Sequence, residues 1–199
     1  GILLDRPELI EHAVNAKYGL KYQLDHAVLE DGLWFEGSSG YHYYALHWFM
    51  HYEKFARYTE YSLFKVPRYR EKLVTMLTYF RRILQPDFRT PALNDGSSGS
   101  LKGNAGIYEF AYSCFPEEED LLWMLHQAVD GTDRDSISSL LYGVKELPAA
   151  KEHCFDNYLA KNGSNFAILH GEDLRYLLFK ALPFGGEHDH YDRLGISFG

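Results

Sequence analysis

The spacing of apolar residues changes once along the chain, near residue 155, and this change limits the folds that are possible. Before it, apolar side chains recur at steps of three and four residues, which is typical of amphipathic helices. After Pro148 the apolar runs are short and are separated by Gly, Asp and Pro, which is typical of strands and turns. We therefore predict a mainly α chain, with a helical domain over residues 1–154 and the beginning of a β domain over residues 155–199.

The patterns predict seven helices and one long loop. The helices cover about residues 7–17, 20–30, 41–56, 67–84, 105–114, 118–129 and 136–142. The polar loop over residues 85–106 is of a length that is usually functional or disordered. In the third helix an aromatic stripe, which is either a dense core or the wall of a cleft, consists of Tyr41, Tyr44, Ala45, Trp48, Tyr52, Phe55 and Ala56.

The two ends of the chain predict that it is a fragment. Two or three strands do not make a stable sheet, so we expect the β domain to continue beyond Gly199. The first 20 residues lack a basic stretch followed by an apolar run and do not resemble a signal peptide. The two cysteines, Cys114 and Cys154, can be free thiols or one disulfide.

Composition narrows the classes of partner. The formal net charge of -8 argues against nucleic acid, because phosphate binding needs a basic surface. It leaves room for an acidic substrate, since a cleft can be basic on an acidic protein. No apolar run approaches the roughly 20 residues that span a bilayer, so no membrane insertion is expected. The aromatic share of 16% is common where sugar rings bind, although packing explains it equally well.

Two histidine clusters are candidate functional sites. The first, Tyr41-His42-Tyr43-Tyr44, follows a glycine-serine loop at the start of a helix. The second is GGEHDHYD, in which His188 and His190 flank a single residue. On a strand these two side chains would share a face, whereas in a turn one can face a cleft while the other binds a metal.

Other motifs carry less chemistry. His47 and His51 have a zinc-ligand spacing, but no glutamate follows the first of them, and we expect the pair to be structural. The loop LNDGSSGSL lacks the ending of a phosphate loop, and the chain has no GxSxG nucleophile motif. Asn94 and Asp95 in that loop are expected to cap a turn or to line the cleft.

The segment DGLWFEGSSGYHYYAL, followed by GGEHDHYDRLGISFG, resembles the heparinase II/III-like polysaccharide lyases, which include oligoalginate lyases. The resemblance implies an incomplete (α/α) toroid followed by the first strands of an antiparallel β-sandwich domain. It also implies a periplasmic or secreted location. An asparagine motif that binds the substrate carboxylate would lie before residue 1, so that this chain alone would be inactive.

The resemblance also implies roles for single residues. Tyr41, or alternatively Tyr43, would be the catalytic acid and base, and His42 would assist or orient it. His188 would close over the substrate as a base or charge neutraliser. His190 would be a ligand of a structural zinc ion whose other ligands lie beyond Gly199. The substrate-binding residues would be Glu36, Tyr44 and Asn94. Two carboxylates, Glu187 and Asp189, depart from the family's H-G-H turn.

The implied reaction is the β-elimination of a uronate glycan, in which the proton at C5 is removed and the O4 substituent leaves. The acidic balance of the chain favours an alginate-like oligosaccharide over heparin or heparan sulfate. One alternative is an inactive carbohydrate-binding protein on the same fold. A second is an (α/α)-barrel glycoside hydrolase, which would use paired carboxylates chosen from Asp31, Glu36 and Asp95.

Overall fold

The computed structural model describes residues 1–160, 162–181, 186, 188, 190 and 194–199. Within them the α-helices are α1 (Pro7–Ile10), α2 (Leu20–His26), α3 (Ser39–Ala56), α4 (Pro67–Thr78), α5 (Ala105–Cys114), α6 (Glu119–Val129) and α7 (Ile137–Tyr142). The strands are β1 (Tyr158–Leu159), β2 (Phe166–His170), β3 (Tyr176–Lys180) and β4 (Gly195–Phe198). The predicted fold class, mainly α with antiparallel strands at the end, is confirmed. Glu187 and Asp189, the two predicted departures from the family's turn, lie outside the described residues.

Three predicted helices differ in detail from the sequence pattern. α1 is followed by a π-helical turn over Glu11–Asn15, so the first helix has the predicted place but not a regular geometry. α2 ends earlier than predicted because the chain turns back there, and Val28 pairs with Trp34 in an isolated antiparallel bridge. α4 stops at Thr78 and continues as a 3-10 turn over Tyr79–Arg82.

α3 buries a different stripe from the aromatic one. Its buried side chains include Leu46, Phe49 and Met50, which belong to the common core. By contrast, Tyr44 is 63% exposed and Trp48 is 52% exposed. Both stripes have steps of three and four residues, so the spacing alone does not choose between them. Most of the aromatic stripe is therefore an outer wall of the helix and not the centre of the core.

The helices share one hydrophobic core. α5 packs against α3, α6 and α7, and α4 packs against α2, α3 and α6. Tyr108 and Phe110 of α5 are fully buried, as are Leu73 and Leu77 of α4. Within the described residues, every helix is too short or too polar to cross a bilayer.

The strands form one antiparallel sheet in the order β1-β2-β3-β4. Its inner face continues the helical core, because Phe166, Ile168, Tyr176 and Leu178 belong to the same cluster of buried residues. Ile168 lies opposite Leu178 in the β2–β3 register. The Tyr176 hydroxyl donates a hydrogen bond to the carbonyl of Ile83 at 3.1 Å. This bond ties the sheet to the residue that follows the 3-10 turn after α4.

A single carboxylate fixes the sheet to the loop before α3. Asp31 Oδ2 accepts hydrogen bonds from the Ser164 hydroxyl at 2.6 Å and from the Ser164 backbone N–H at 3.0 Å. The Tyr158 hydroxyl approaches the same oxygen at 3.4 Å. A Cβ on Gly163 would lie 2.3 Å from the Asp31 carboxyl group, so the two loops meet without room for a side chain. The first aspartate of the sequence motif therefore positions the β strands.

Candidate active site

Two adjoining pockets, which share Tyr41 and Tyr44, form a cleft beside the first turn of α3. Tyr41 is half-buried, and its hydroxyl has no protein hydrogen bond within the described part of the chain. The aromatic side of the cleft is lined by residues that include Leu20, Trp34, Tyr44, Trp48 and His188, and the polar side by residues that include Ser39, Thr90, Asp95, Ser97 and Asn104.

The polar side of the cleft belongs to the long loop, which packs directly on the start of α3. A Cβ on Gly96 would lie 2.7 Å from Ser39 Oγ, so only glycine allows this close approach. Asn94 has a φ of 51°, in the left-handed region that asparagine tolerates better than most residues. This backbone path places the carboxylate of Asp95 beside the first turn of α3.

The two predicted histidine and tyrosine motifs meet in this cleft. The rings of Tyr41 and His188 stack with their centroids 3.5 Å apart and their planes 12° from parallel. Parallel rings at this distance cannot share an in-plane hydrogen bond, because donor and acceptor directions lie within each ring plane. The stack itself therefore uses neither the Tyr41 hydroxyl nor the ring nitrogens of His188.

Asp95 connects both histidines of the second motif. Its Oδ1 lies 2.8 Å from His190 Nε2, and its Oδ2 lies 3.3 Å from His188 Nδ1. Its backbone N–H also points to the His188 carbonyl at 3.4 Å. The hydrogen bonds from His190 and then from His188 lower the pKa of Asp95 below its usual value. The carboxylate is therefore held in its charged form between two imidazoles.

Tyr43, the alternative catalytic tyrosine, points its hydroxyl into the protein. The Tyr108 hydroxyl donates to the Leu77 carbonyl at 3.1 Å, so the Tyr43 hydroxyl is the donor in its 2.8 Å bond to Tyr108. Burial raises the pKa of Tyr43 well above its usual range. Ionising this hydroxyl is therefore costly, whereas the hydroxyl of Tyr41 has no protein partner within the described residues.

His42 is fully buried behind the same turn of helix. Its Nδ1 accepts a hydrogen bond from the Trp34 backbone N–H at 3.2 Å, and its Nε2 donates to the Met76 carbonyl at 3.1 Å. Burial lowers the pKa of His42 to about 4, so the ring is neutral at ordinary pH. Both ring nitrogens are occupied by the protein backbone. This placement suits the orienting role predicted for His42 and not direct contact with a substrate.

The three predicted substrate-binding residues lie near one another but in different settings. Tyr44 is exposed in the cleft, and the Glu36 carboxylate accepts a hydrogen bond from Trp34 Nε1 at 3.0 Å. Asn94 donates through Nδ2 to the Glu36 carbonyl at 3.1 Å and accepts through Oδ1 from the ammonium of Lys180, which is 6% exposed. Asn94 thus braces the loop between α3 and the end of β3, and its contact with substrate stays a prediction.

Comparison with known proteins identifies the family. The model of the heparinase II/III N-terminus matches residues 8–123. The chain belongs to the heparinase II/III family. The matched range contains Tyr41 and Asp95 but ends before His188 and His190, so the family model does not cover the second motif.

Solved structures share this fold. A heparinase III structure has 20% sequence identity with a TM-score of 0.64, and the match covers 90% of this chain and 25% of that one. A mutant of heparan sulfate lyase HepC from Pedobacter heparinus has 18% identity and a TM-score of 0.67, with 90% and 26% covered. This chain therefore spans about a quarter of the length of the structures that it matches. A search of curated proteins gave no match.

The described residues do not supply the other ligands that a zinc ion at His190 would need. Among the described residues there is no group of three or more His, Cys, Asp or Glu side chains that could hold a metal ion. His190 Nε2 is directed at Asp95 instead. The described residues do not make up a zinc site, and zinc binding at His190 stays a prediction.

Cys114 and Cys154 are free thiols, which decides between the two alternatives for them.

Two residues at or behind the cleft, Asp95 and Lys180, had no role in the predicted lyase site. Asp95 was expected to cap a turn, to line the cleft or, in the hydrolase alternative, to be one of the paired carboxylates. Its pairing with His188 is a contact between distant parts of the chain. Lys180 stood in an apolar run, RYLLFKAL, where it reads as the end of a strand. The sequence offered one signal for Lys180. A lysine at the last position of an alternating strand can be buried with the apolar residues, and a buried charge needs a partner.

Proposed function

We propose that this chain carries part of the active site of a polysaccharide lyase that cleaves a uronate glycan by β-elimination. In this reaction a base takes the proton from C5, the electron pair forms the C4–C5 double bond, and the O4 substituent leaves with a proton from an acid. A half-buried tyrosine and a histidine in one cleft are groups that can accept and donate those protons.

The observation that carries the proposal is the stack of Tyr41 on His188. Two motifs from opposite ends of the chain place their rings 3.5 Å apart in an open cleft, with the tyrosine hydroxyl unpaired within the described residues. Tyr41 is assigned as the acid and base, and His188 as the second base or charge neutraliser. His42 orients the first turn of α3 from behind.

The walls of the cleft suit a sugar chain. Trp34, Tyr44 and Trp48 present aromatic surface on one side of Tyr41, and hydroxyl and amide side chains lie on the other. Aromatic faces pack against sugar rings, while polar groups fix their orientation. We assign the substrate to the uronate glycans. Heparan sulfate is the first candidate because it is the substrate named for a structural neighbour, and alginate is the second.

Three further assignments belong to the same proposal and rest on the family resemblance. They are an acidic oligo- or polysaccharide as the partner, a structural zinc ion with His190 among its ligands, and a periplasmic or secreted location. The hydrolase alternative is disfavoured because two of its candidate carboxylates already make other hydrogen bonds. Asp31 binds Ser164, and Asp95 binds two histidines. The activity assay described next distinguishes a lyase from an inactive carbohydrate-binding protein.

The test uses the full-length protein with heparan sulfate, heparin and alginate oligosaccharides. A lyase gives a product whose double bond is conjugated with the carboxylate, so ultraviolet absorbance rises with turnover. Tyr41→Phe removes only the hydroxyl and is expected to lower kcat by at least about 100-fold, the usual contribution of a general acid or base.

The matched control is Tyr58→Phe, which also removes one hydroxyl. Tyr58 is 82% exposed and lies beyond the far end of the 18-residue helix α3, about 25 Å from Tyr41. The Tyr58→Phe substitution should leave turnover unchanged. New reducing ends without absorbance would indicate a hydrolase. Binding without either signal would indicate a carbohydrate-binding protein, and unchanged turnover in Tyr41→Phe would remove the assignment of Tyr41.

A further inference from the structure

The orientation of His188 is constrained in two independent ways. The stack on Tyr41, with planes 12° from parallel, fixes the plane of the imidazole ring. Rotation within that plane is left open by stacking, because a ring can slide or turn over a flat partner without losing contact. The hydrogen bond from Nδ1 to Asp95 Oδ2 at 3.3 Å fixes this second degree of freedom.

This hydrogen bond also selects a tautomer. A neutral imidazole carries one N–H and one lone pair, and an ionised carboxylate only accepts hydrogen bonds. The ring nitrogen that faces Asp95 must therefore hold the hydrogen, which leaves the lone pair on the other nitrogen. Within the described residues, His188 Nε2 has no protein hydrogen bond of its own.

We propose that Asp95 is a positioning residue that holds His188 as the Nδ1–H tautomer, with the Nε2 lone pair available to accept a proton in the cleft beside Tyr41. The proposal rests on the proposed function, because it concerns how His188 serves the elimination. It gives His188 the role of proton acceptor and leaves donation to the leaving O4 with Tyr41.

The surroundings of Asp95 make it suited to this task. His190 Nε2 donates to its other oxygen at 2.8 Å, so the carboxylate is held from both sides. The backbone N–H of Asp95 approaches the His188 carbonyl, which brings the two main chains together as well. The preceding residue, Asn94, is bound to the Glu36 carbonyl and to Lys180, so the loop that carries Asp95 is anchored to both halves of the chain.

The test reads the tautomer directly and does not depend on turnover. The full-length protein is labelled with ¹⁵N-histidine, and the ring nitrogen shifts of His188 are recorded where the imidazole is neutral, with His188→Gln used to assign the signal. The wild-type protein is expected to show Nδ1–H. Asp95→Ala should move the population toward Nε2–H, the form that free histidine prefers. Asp130→Ala removes an exposed carboxylate that faces Lys102 at 3.6 Å and should change nothing.

Kinetics give the second readout. Asp95→Ala is expected to lower kcat by about 10- to 100-fold, the range for residues that orient a reacting ligand, with KM nearly unchanged. Asp95→Asn keeps one acceptor oxygen and should recover part of the Nδ1–H signal and part of kcat. This partial recovery separates positioning from a general loss of folding.

The outcomes distinguish the two proposals. A His188 ring that is Nε2–H in the wild type, or Nδ1–H in both the wild type and Asp95→Ala, overturns the positioning role even if the protein is a lyase. A tautomer that changes with Asp95 in a protein without lyase activity supports the positioning role and rejects the proposed function. An Asp95→Ala protein that raises KM and leaves kcat unchanged also contradicts the proposal.

Discussion

His42 makes the stability of this fold depend on pH in a predictable direction. The ring is 0% exposed, and its two nitrogens bind the Trp34 N–H and the Met76 carbonyl. Burial lowers the pKa of His42 from 6.5 to about 4, against smaller opposing effects of the Met76 hydrogen bond and the Asp31 charge. Protonation would place a charge inside the protein and would replace an accepted hydrogen bond by a repulsion at Nδ1.

The size of the effect follows from linkage. Between pH 6.5 and about 4 the unfolded chain binds a proton on this histidine that the folded chain does not bind. The free energy of unfolding therefore rises with pH in this interval. The contribution of His42 to it is fully present above pH 6.5 and is lost as the pH falls toward about 4. The total is about 3 kcal/mol, from a value of about 1.4 kcal/mol for each pKa unit.

The assay is urea unfolding of the full-length protein, followed by tryptophan fluorescence, at several pH values above and below 6.5. His42→Gln supplies an amide that can accept from Trp34 and donate to Met76 but does not titrate. Its unfolding free energy should fall less than that of the wild type on acidification, by about 3 kcal/mol. His47→Gln, an exposed change on the same helix, serves as the control. Parallel curves for wild type and His42→Gln would refute the reasoning.

Two further predictions concern stability. Asp31→Ala and Ser164→Ala should be coupled by about 1–3 kcal/mol in a double-mutant cycle of urea unfolding, because each removes the same 2.6 Å charge-assisted hydrogen bond, and additive effects would contradict this. Arg134→Met should cost about 3–5 kcal/mol, because it leaves the carboxylate of Glu109, which is 1% exposed, without its two guanidinium hydrogen bonds. Adding Glu109→Gln should restore much of that loss, and a single variant as stable as the wild type would count against a buried ion pair.

The sequence predicted the order of helices and strands because periodicity is a local property. It did not choose the buried face of α3, since Leu46, Phe49 and Met50 are separated by three and four residues, as are Tyr41, Tyr44 and Trp48. The choice is made by packing: in α3, Leu46, Phe49 and Met50 fit the shared core, while Tyr44 and Trp48 remain at its edge.

The candidate site was predictable only in part, for a related reason. Tyr41 and His188 were paired through the resemblance to a family, and the structure brings their rings together. The pairing of Asp95 with His188 and His190 could not be predicted, because these partners lie far away in sequence and a loop has no periodicity that fixes its register. Glycine at position 96 was a visible signal of close approach, but the sequence does not say what approaches.

Among the residues of the first motif, Tyr41 and Tyr44 face the cleft, and others hold its frame in place. Asp31 fixes the β strands, and Gly32 has a φ of 97° with no room for a Cβ, which would lie 2.7 Å from the Thr75 carbonyl. His42 joins the loop to α4 through its two ring nitrogens. Tyr41 presents its unpaired hydroxyl to the cleft within the described chain. A reaction that needs a hydroxyl and an imidazole at fixed separation requires such a frame, because displacement of a reacting group by about 1 Å costs roughly 100-fold in rate.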